Sequence, residues 1–314
     1  MLIMKGNSEC AKKLINRPVD NHLKGILLAL LGAILWGVSG TCGQFLFQQR
    51  AVPVEWLMSV RMLGAGSLML LIALSQKDPA VAGVWRDKGD CRQLLVFGIA
   101  GMLAVQYSYF AAINYSNAAT ATILQFSAPV LIAIYMAIRF GKRLRPLEYL
   151  AILLAIAGTF LLVTHGKIST LSISPQAFAF GIASAVSLAL YTLMPGKLFE
   201  KYSTLSIIGW AMIIGGIAIS LFKQPWDVAG IVWDVYTFAG TVFVVLFGTL
   251  IPFYAYLKAV QLIGGQQASL LTSAEPLSAT LIGVGWLGVS FGVLDWLGAL
   301  LIISTVFILS AKSR

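Results

Sequence analysis

Charged residues punctuate this chain at wide intervals and leave long apolar runs between them. Nothing is charged between Lys24 and Arg50, nor between Arg92 and Arg139. A helix that crosses a bilayer needs about 20 mostly apolar residues. The first run therefore predicts one span (Gly25–Gln49). The second is long enough for two, divided at the polar turn Asn114-Tyr115-Ser116-Asn117. The same reading places span 2 over Val54–Leu74, interrupted by Arg61, and span 5 over Pro146–Thr164. Ser174-Pro175 reads as an N-cap followed by a first-turn proline, and it opens span 6, which runs to about Leu198. Spans 7 to 10 fall over Ser203–Phe222, Val235–Gln261, Gln266–Leu287 and Val293–Ser310, with Gly264-Gly265 between spans 8 and 9. Span 1 is too long for a cleaved signal peptide, and further spans follow it.

Composition agrees with the pattern. Of the 314 residues, 59% are hydrophobic and 11% charged, and mean hydropathy is +0.87. Soluble domains carry about 25% charged residues, so an all-α membrane protein of ten helices is expected. The net charge of +10 would point to nucleic acid if the basic residues clustered, but their positions follow the spans. With the N-terminus inside, eighteen of the 22 basic residues fall in cytoplasmic segments. Arg50, Lys167 and Lys223 fall outside, and Arg61 lies within a span. The positive-inside bias then makes both termini cytoplasmic and removes the case for a nucleic-acid partner. Cys10, Cys42 and Cys91 are odd in number, and none requires an oxidising compartment.

Sliding the chain by 147 positions brings Tyr109 onto Tyr256, Ala121 onto Ala268, Pro129 onto Pro276 and Gly141 onto Gly288. It also brings Glu148-Tyr149-Leu150 onto Asp295-Trp296-Leu297 without a gap. A repeat of five spans is odd in number, so its second copy must be inverted. The basic segment Arg139–Arg145 meets the uncharged Trp286–Gly292, as inversion requires. The expected organisation is a cytoplasmic segment over 1–24, a first five-helix repeat over 25–165 and an inverted second repeat over 175–311.

Together with this duplication, Leu35-Trp36-Gly37, the Asn117-Ala118-Ala119-Thr120-Ala121 opening of span 4 and the mid-span prolines resemble the drug/metabolite transporter superfamily. Within it the chain is similar to the EamA branch, especially to enterobacterial inner-membrane members. The resemblance implies a secondary transporter or exporter of small metabolites in a bacterial inner membrane, with a cavity between the two halves. One motif departs from the family's pattern. Leu-Gly-Glu often ends spans 4 and 9, but here Gly141 precedes Lys142 and Gly288 precedes Val289, so no role of that glutamate carries over.

Candidate chemistry is sparse. His22 and His165 are the only histidines, and both lie at span ends. No metal site, cofactor or phosphate-cradling Gly-x4-Gly-Lys motif is expected, and no catalytic residue is assigned. Gly37-Val38-Ser39-Gly40 matches the Gly-x-Ser-Gly of intramembrane serine proteases. A nucleophilic serine needs a base that the spans do not supply, so close helix packing by small residues is the stronger reading.

Glu275 and Arg61 are ionisable groups within spans, which cost about 3 kcal/mol each at the bilayer centre. Glu275 lies roughly 15 Å into span 9 at 1.5 Å per residue and precedes Pro276, where helical geometry is disfavoured. Arg61, six residues past Glu55, has the reach to snorkel to the outer interface, or it could pair with Glu275. Trp36, Gln106, Tyr109, Gln125, Tyr191, Tyr256 and Glu275 are the candidate substrate contacts. Glu275 and Arg61 are the candidate coupling or charge-pair residues, and Pro129 and Pro276 the candidate kinks. The partners implied are a small-molecule substrate, the lipid bilayer and protons exchanged at Glu275. An uncoupled facilitative pathway is the alternative within transport.

Overall fold

The computed structural model describes residues 19–140, 146–165 and 173–310. The expected cytoplasmic segment therefore lies largely outside the described residues, as do the basic loop 141–145, Lys167, Lys312 and Arg314. Every regular element described is helical. The helices are α1 (Val19–Arg50), α2 (Val54–Ser75), α3 (Lys88–Tyr115), α4 (Ala118–Gln125), α5 (Ala128–Phe140) and α6 (Pro146–Thr164). They continue with α7 (Pro175–Leu193), α8 (Gly196–Lys201), α9 (Thr204–Ser220), α10 (Val235–Ile263), α11 (Gly265–Leu271), α12 (Ala274–Leu287) and α13 (Val293–Ser310). A single turn, Ala80–Gly83, lies between α2 and α3. α1 begins at Val19, so residues 19–24 of the expected cytoplasmic segment are helical.

The helix ends follow from local chemistry. Asn117 Oδ1 accepts from Thr120 N–H at 2.8 Å, and Ser174 Oγ accepts from Ala177 N–H at 3.1 Å. Ser203 and Asp234 cap α9 and α10 in the same way. These side chains satisfy orphan N–H groups of a first turn. Gly264, at φ +86°, makes the break between α10 and α11 that a residue with a Cβ would strain to make.

Among the described residues, seven helices are long and apolar enough to cross a membrane. Thr204–Ser220 and Val293–Ile308 are apolar but shorter. The expected span 9 is divided into α11 and α12, with a turn at Thr272-Ser273. The expected span 4 divides in the same way into α4 and α5 at Phe126-Ser127. Pro129 and Pro276 each sit in the first turn after the break, where the missing N–H costs no hydrogen bond.

α1 packs along α10 and α12, while α7 packs along α3 and α4. α2 packs against α9, and α6 against α13. The largest cluster of buried side chains joins α1, α2 and α3 around Leu46, Leu57, Met58 and Phe110. A second joins α2, α3 and α9 around Met62, Met69, Phe97 and Met212. Leu71, Leu153, Ile156, Leu281 and Leu300 point outward and are mostly exposed, an arrangement that suits a lipid surround.

Among the described residues, two α-helices contain π-helical turns. One covers Phe97–Leu103 within α3, the other Leu246–Leu250 within α10. Such turns are uncommon and concentrate at functional sites.

Candidate functional site

α1 crosses the interior, and its small residues let neighbours approach the backbone closely. A Cβ on Gly37 would lie 2.5 Å from Glu275 O and 2.8 Å from Ala279 N, so α12 rests directly on α1. A Cβ on Gly40 would lie 2.6 Å from the Tyr109 hydroxyl of α3. A Cβ on Gly248 would run into Ser39 Oγ, which brings the π-helical turn of α10 against the same stretch of α1. The segment Gly37–Gly40 thus gathers α3, α10 and α12 around one point.

Arg61 enters that point from α2. It is 5% exposed, which corrects the expectation that it snorkels to an interface. Nε donates to Thr249 Oγ1 at 2.6 Å, Nη2 to Gly248 O at 3.5 Å, and the guanidinium carbon lies 4.7 Å from the Phe110 ring centre. A polar anchor on α10 and an aromatic face on α3 thus hold inward a side chain whose sequence position permits an outward course. Glu275, the other candidate of the charge pair, lies on α12. The two charges are near enough to interact electrostatically, but no ion pair within 4.0 Å joins them among the described residues.

Glu275 lies in the first turn of α12, where the helix dipole favours an acidic group. It is half-buried, and its carboxylate has no hydrogen-bond partner among the described residues. Tyr109, whose hydroxyl bonds Thr122 Oγ1 at 2.8 Å, is near enough to interact with both Glu275 and Arg61. Gln106, one turn away on α3, is buried with Nε2 3.1 Å from Met102 Sδ.

The aromatic candidates form an adjoining wall. Trp36 lies one turn from Ser39 and packs on Phe253 at 5.2 Å and Tyr256 at 5.6 Å between ring centres. Tyr191 stacks on Phe97 in the π-helical turn of α3 at 5.4 Å. Trp36, Tyr191 and Tyr256 are half-buried. Gln125 stands apart: Nε2 donates to Ser184 Oγ on α7 at 2.6 Å, which ties the end of α4 to that helix.

The sequence reading missed Thr249 and Gly248 as partners of Arg61. The Gly-Thr pair in an apolar run gave no signal of its own. Ser39 Oγ has no hydrogen-bond partner among the described residues.

Polar contacts close the bundle at both ends. At the end holding the α1 C-terminus, Arg50 Nε lies 3.1 Å from Asp234 Oδ2 and Trp56 Nε1 donates to Pro225 O at 2.9 Å. At the opposite end, Lys201 Nζ donates to both Asp90 oxygens at 3.0 Å. There Ser206 donates to Asp78 Oδ2 at 2.6 Å, and Ser203 bonds the same oxygen. Burial alone would raise the Asp78 carboxyl. The hydrogen bonds from Ser203, Ser206 and Ala80 N–H outweigh it and hold the group below its ordinary 3.8.

Comparison with known proteins places this architecture. The EamA-like transporter family matches residues 23–164 and again 176–311. The chain is 41% identical over 293 residues to the uncharacterized inner membrane transporter YicL of Salmonella typhimurium, covering 93% of this chain and 96% of that one. It is 23% identical to the uncharacterized transporter YwfM of Bacillus subtilis, covering 92% and 94% of the two chains. A crystal structure at 20% identity superposes with a TM-score of 0.61 over 90% of this chain and 95% of the other, a likeness of fold alone. The two family matches account for nearly all of the described helices, and this chain belongs to the EamA-like transporter family.

Proposed function

We propose that the chain is a ten-span secondary transporter, and an exporter, of a small organic solute. It is built from two inverted five-helix repeats over 25–165 and 175–311, with both termini in the cytoplasm of a bacterial cell. The pairing of helices supports the repeat. α1 lies against α10 and α12, and α7 lies against their repeat counterparts α3 and α5, while α2–α9 and α6–α13 pair equivalent helices with each other. The π-helical turns support it independently, because Leu103 and Leu250, which end them, are 147 positions apart, the offset of the sequence repeat. Both repeats also break a helix just before the equivalent prolines, Pro129 and Pro276.

The observation that carries the transport reading is the convergence of Arg61, Tyr109 and Glu275 on Gly37–Gly40, where elements of both repeats meet. Charged groups inside a bundle, beside broken helices at a repeat interface, are the setting in which secondary transporters bind solutes. Trp36, Gln106, Tyr109, Tyr191, Tyr256 and Glu275 line the solute's path, with Gln125 at its margin. Glu275 carries the exchanged proton. Solute exchange then alternates between release of the Arg50–Asp234 end and release of the Asp78–Ser203 end. Comparing the metabolites released by cells that express the chain with those of cells that lack it tests the reading. A small organic solute whose external level follows expression supports it, and indistinguishable profiles across growth conditions contradict it.

A further inference from the structure

Among the described residues, five buried polar side-chain atoms make no hydrogen bond, and three of them belong to Arg61, Ser39 and Gln106. Arg61 Nη1, Ser39 Oγ and Gln106 Oε1 are inaccessible and make no hydrogen bond, on residues that are 5%, 2% and 7% exposed. Buried polar groups are nearly always satisfied, and a buried charge without a counter-charge is costlier still. Glu275 does not supply that counter-charge by direct contact, and the positive charge of Arg61 stays partly unanswered.

The arrangement leaves one arm of the guanidinium free by holding the others. Thr249 Oγ1 donates to Val244 O, five residues back along the π-helical turn, at 2.9 Å. Its hydroxyl oxygen is thereby left to accept from Arg61 Nε at 2.6 Å. Gly248 O takes Nη2, and Phe110 supports the face of the plane. Nη1 is the remaining donor. Ser39 Oγ abuts Gly248, whose carbonyl holds Nη2, so the free hydroxyl lies beside the residue that holds the guanidinium. One turn along α1, Trp36 begins the aromatic wall with Phe253 and Tyr256. A donor pair of this kind matches a carboxylate, which takes charge-assisted hydrogen bonds from a guanidinium in a defined geometry.

We propose that Arg61 Nη1 and Ser39 Oγ bind the carboxylate of the transported solute, with its apolar body against Trp36, Phe253 and Tyr256. Thr249 is the positioning residue that aims the guanidinium. The inference rests on the transporter reading and names the solute class for the same site.

The test uses the full chain in nanodiscs and follows its tryptophan fluorescence during titration with three solutes of matched size: 3-phenylpropionate, 3-phenylpropionamide and phenethylamine. The carboxylate binds saturably, and the amide and amine bind about tenfold or more weakly, the ratio expected for loss of one charge-assisted hydrogen bond. Arg61→Gln abolishes that preference and Ser39→Ala reduces it. Thr249→Val lowers the carboxylate-to-amide ratio, and Thr249→Ser restores it. A purely structural role for Thr249 would weaken both solutes alike. If Arg61→Gln does not fold, the Thr249 pair and Ser39→Ala carry the test. Preference for the amine or amide overturns the inference, as does unchanged selectivity in Arg61→Gln or absence of saturable carboxylate binding. Counterflow of whichever solute binds, in proteoliposomes, tests the transporter reading separately.

Discussion

Replacing Gly37 with alanine tests the contact that sets Glu275 beside α1. The added Cβ would stand 2.5 Å from Glu275 O and 2.8 Å from Ala279 N, and both are backbone atoms that cannot rotate aside. A carbon and a carbonyl oxygen in comfortable contact are about 3.3 Å apart, so α1 and α12 must separate by roughly 0.8 Å. Overpacking of this size costs about 1–3 kcal/mol. Gly285, also in α12, provides the control, since nothing lies within 4 Å of its would-be Cβ. There alanine should stabilise the helix by about 0.5–1 kcal/mol, because glycine is the more flexible residue. The two substitutions are chemically identical and should act with opposite signs. Unfolding of the purified protein in mixed micelles, followed by circular dichroism against added denaturing detergent, measures both. A Gly37→Ala midpoint equal to or above that of the unsubstituted protein would refute the close approach of α1 and α12.

Acidification should loosen the end held by Asp78. Its carboxyl titrates below 3.8 in the folded protein, so its stabilisation is complete above that pH and is lost as the pH falls below it. Melting temperature should therefore decline more steeply between about pH 4 and pH 2 in the unsubstituted protein than in Asp78→Asn, measured by thermal scattering. For topology, an impermeant thiol reagent applied to intact cells should label Ser290→Cys and spare Lys142→Cys, each made in a cysteine-free background. The reverse pattern would remove the inverted repeat. Pro129→Ala and Pro276→Ala should each lower flux more than the amount of folded protein, and normal flux in both would show that the helix breaks serve no step of transport.

Much of the fold was legible because burial in lipid leaves so few ways to satisfy a backbone. Charge-free runs located the helices, and Ser174 announced the start of α7 as an ordinary capping residue, whereas the cap at Asn117 lay in a segment read only as a polar turn. The breaks before Pro129 and Pro276 were likewise readable, since proline tolerates few places in a helix. The course of Arg61 was not. Six residues from Glu55, it has the length to reach an interface, and only the packing of α2, α3 and α10 decides that it turns inward to Thr249 and Phe110. The π-helical turns were invisible for a related reason. Nothing in Phe97–Leu103 or Leu246–Leu250 distinguishes them locally from α-helix, although Gly101 and Gly248 fall one repeat offset apart. Ser39 was correctly placed among small packing residues, but its unpartnered hydroxyl emerges only when Gly248 comes to rest against it.

The most direct test of the whole account is proton movement through proteoliposomes loaded with a pH-sensitive dye. The vesicles are challenged with the low-molecular-weight fraction of a cell extract, with protein-free vesicles as the baseline. If Glu275 exchanges a proton for solute, the unsubstituted protein will move protons when solute is added. Glu275→Gln, folded to the same extent, will not exceed the baseline. Equal proton movement in Glu275→Gln and the unsubstituted protein would contradict the account at its centre.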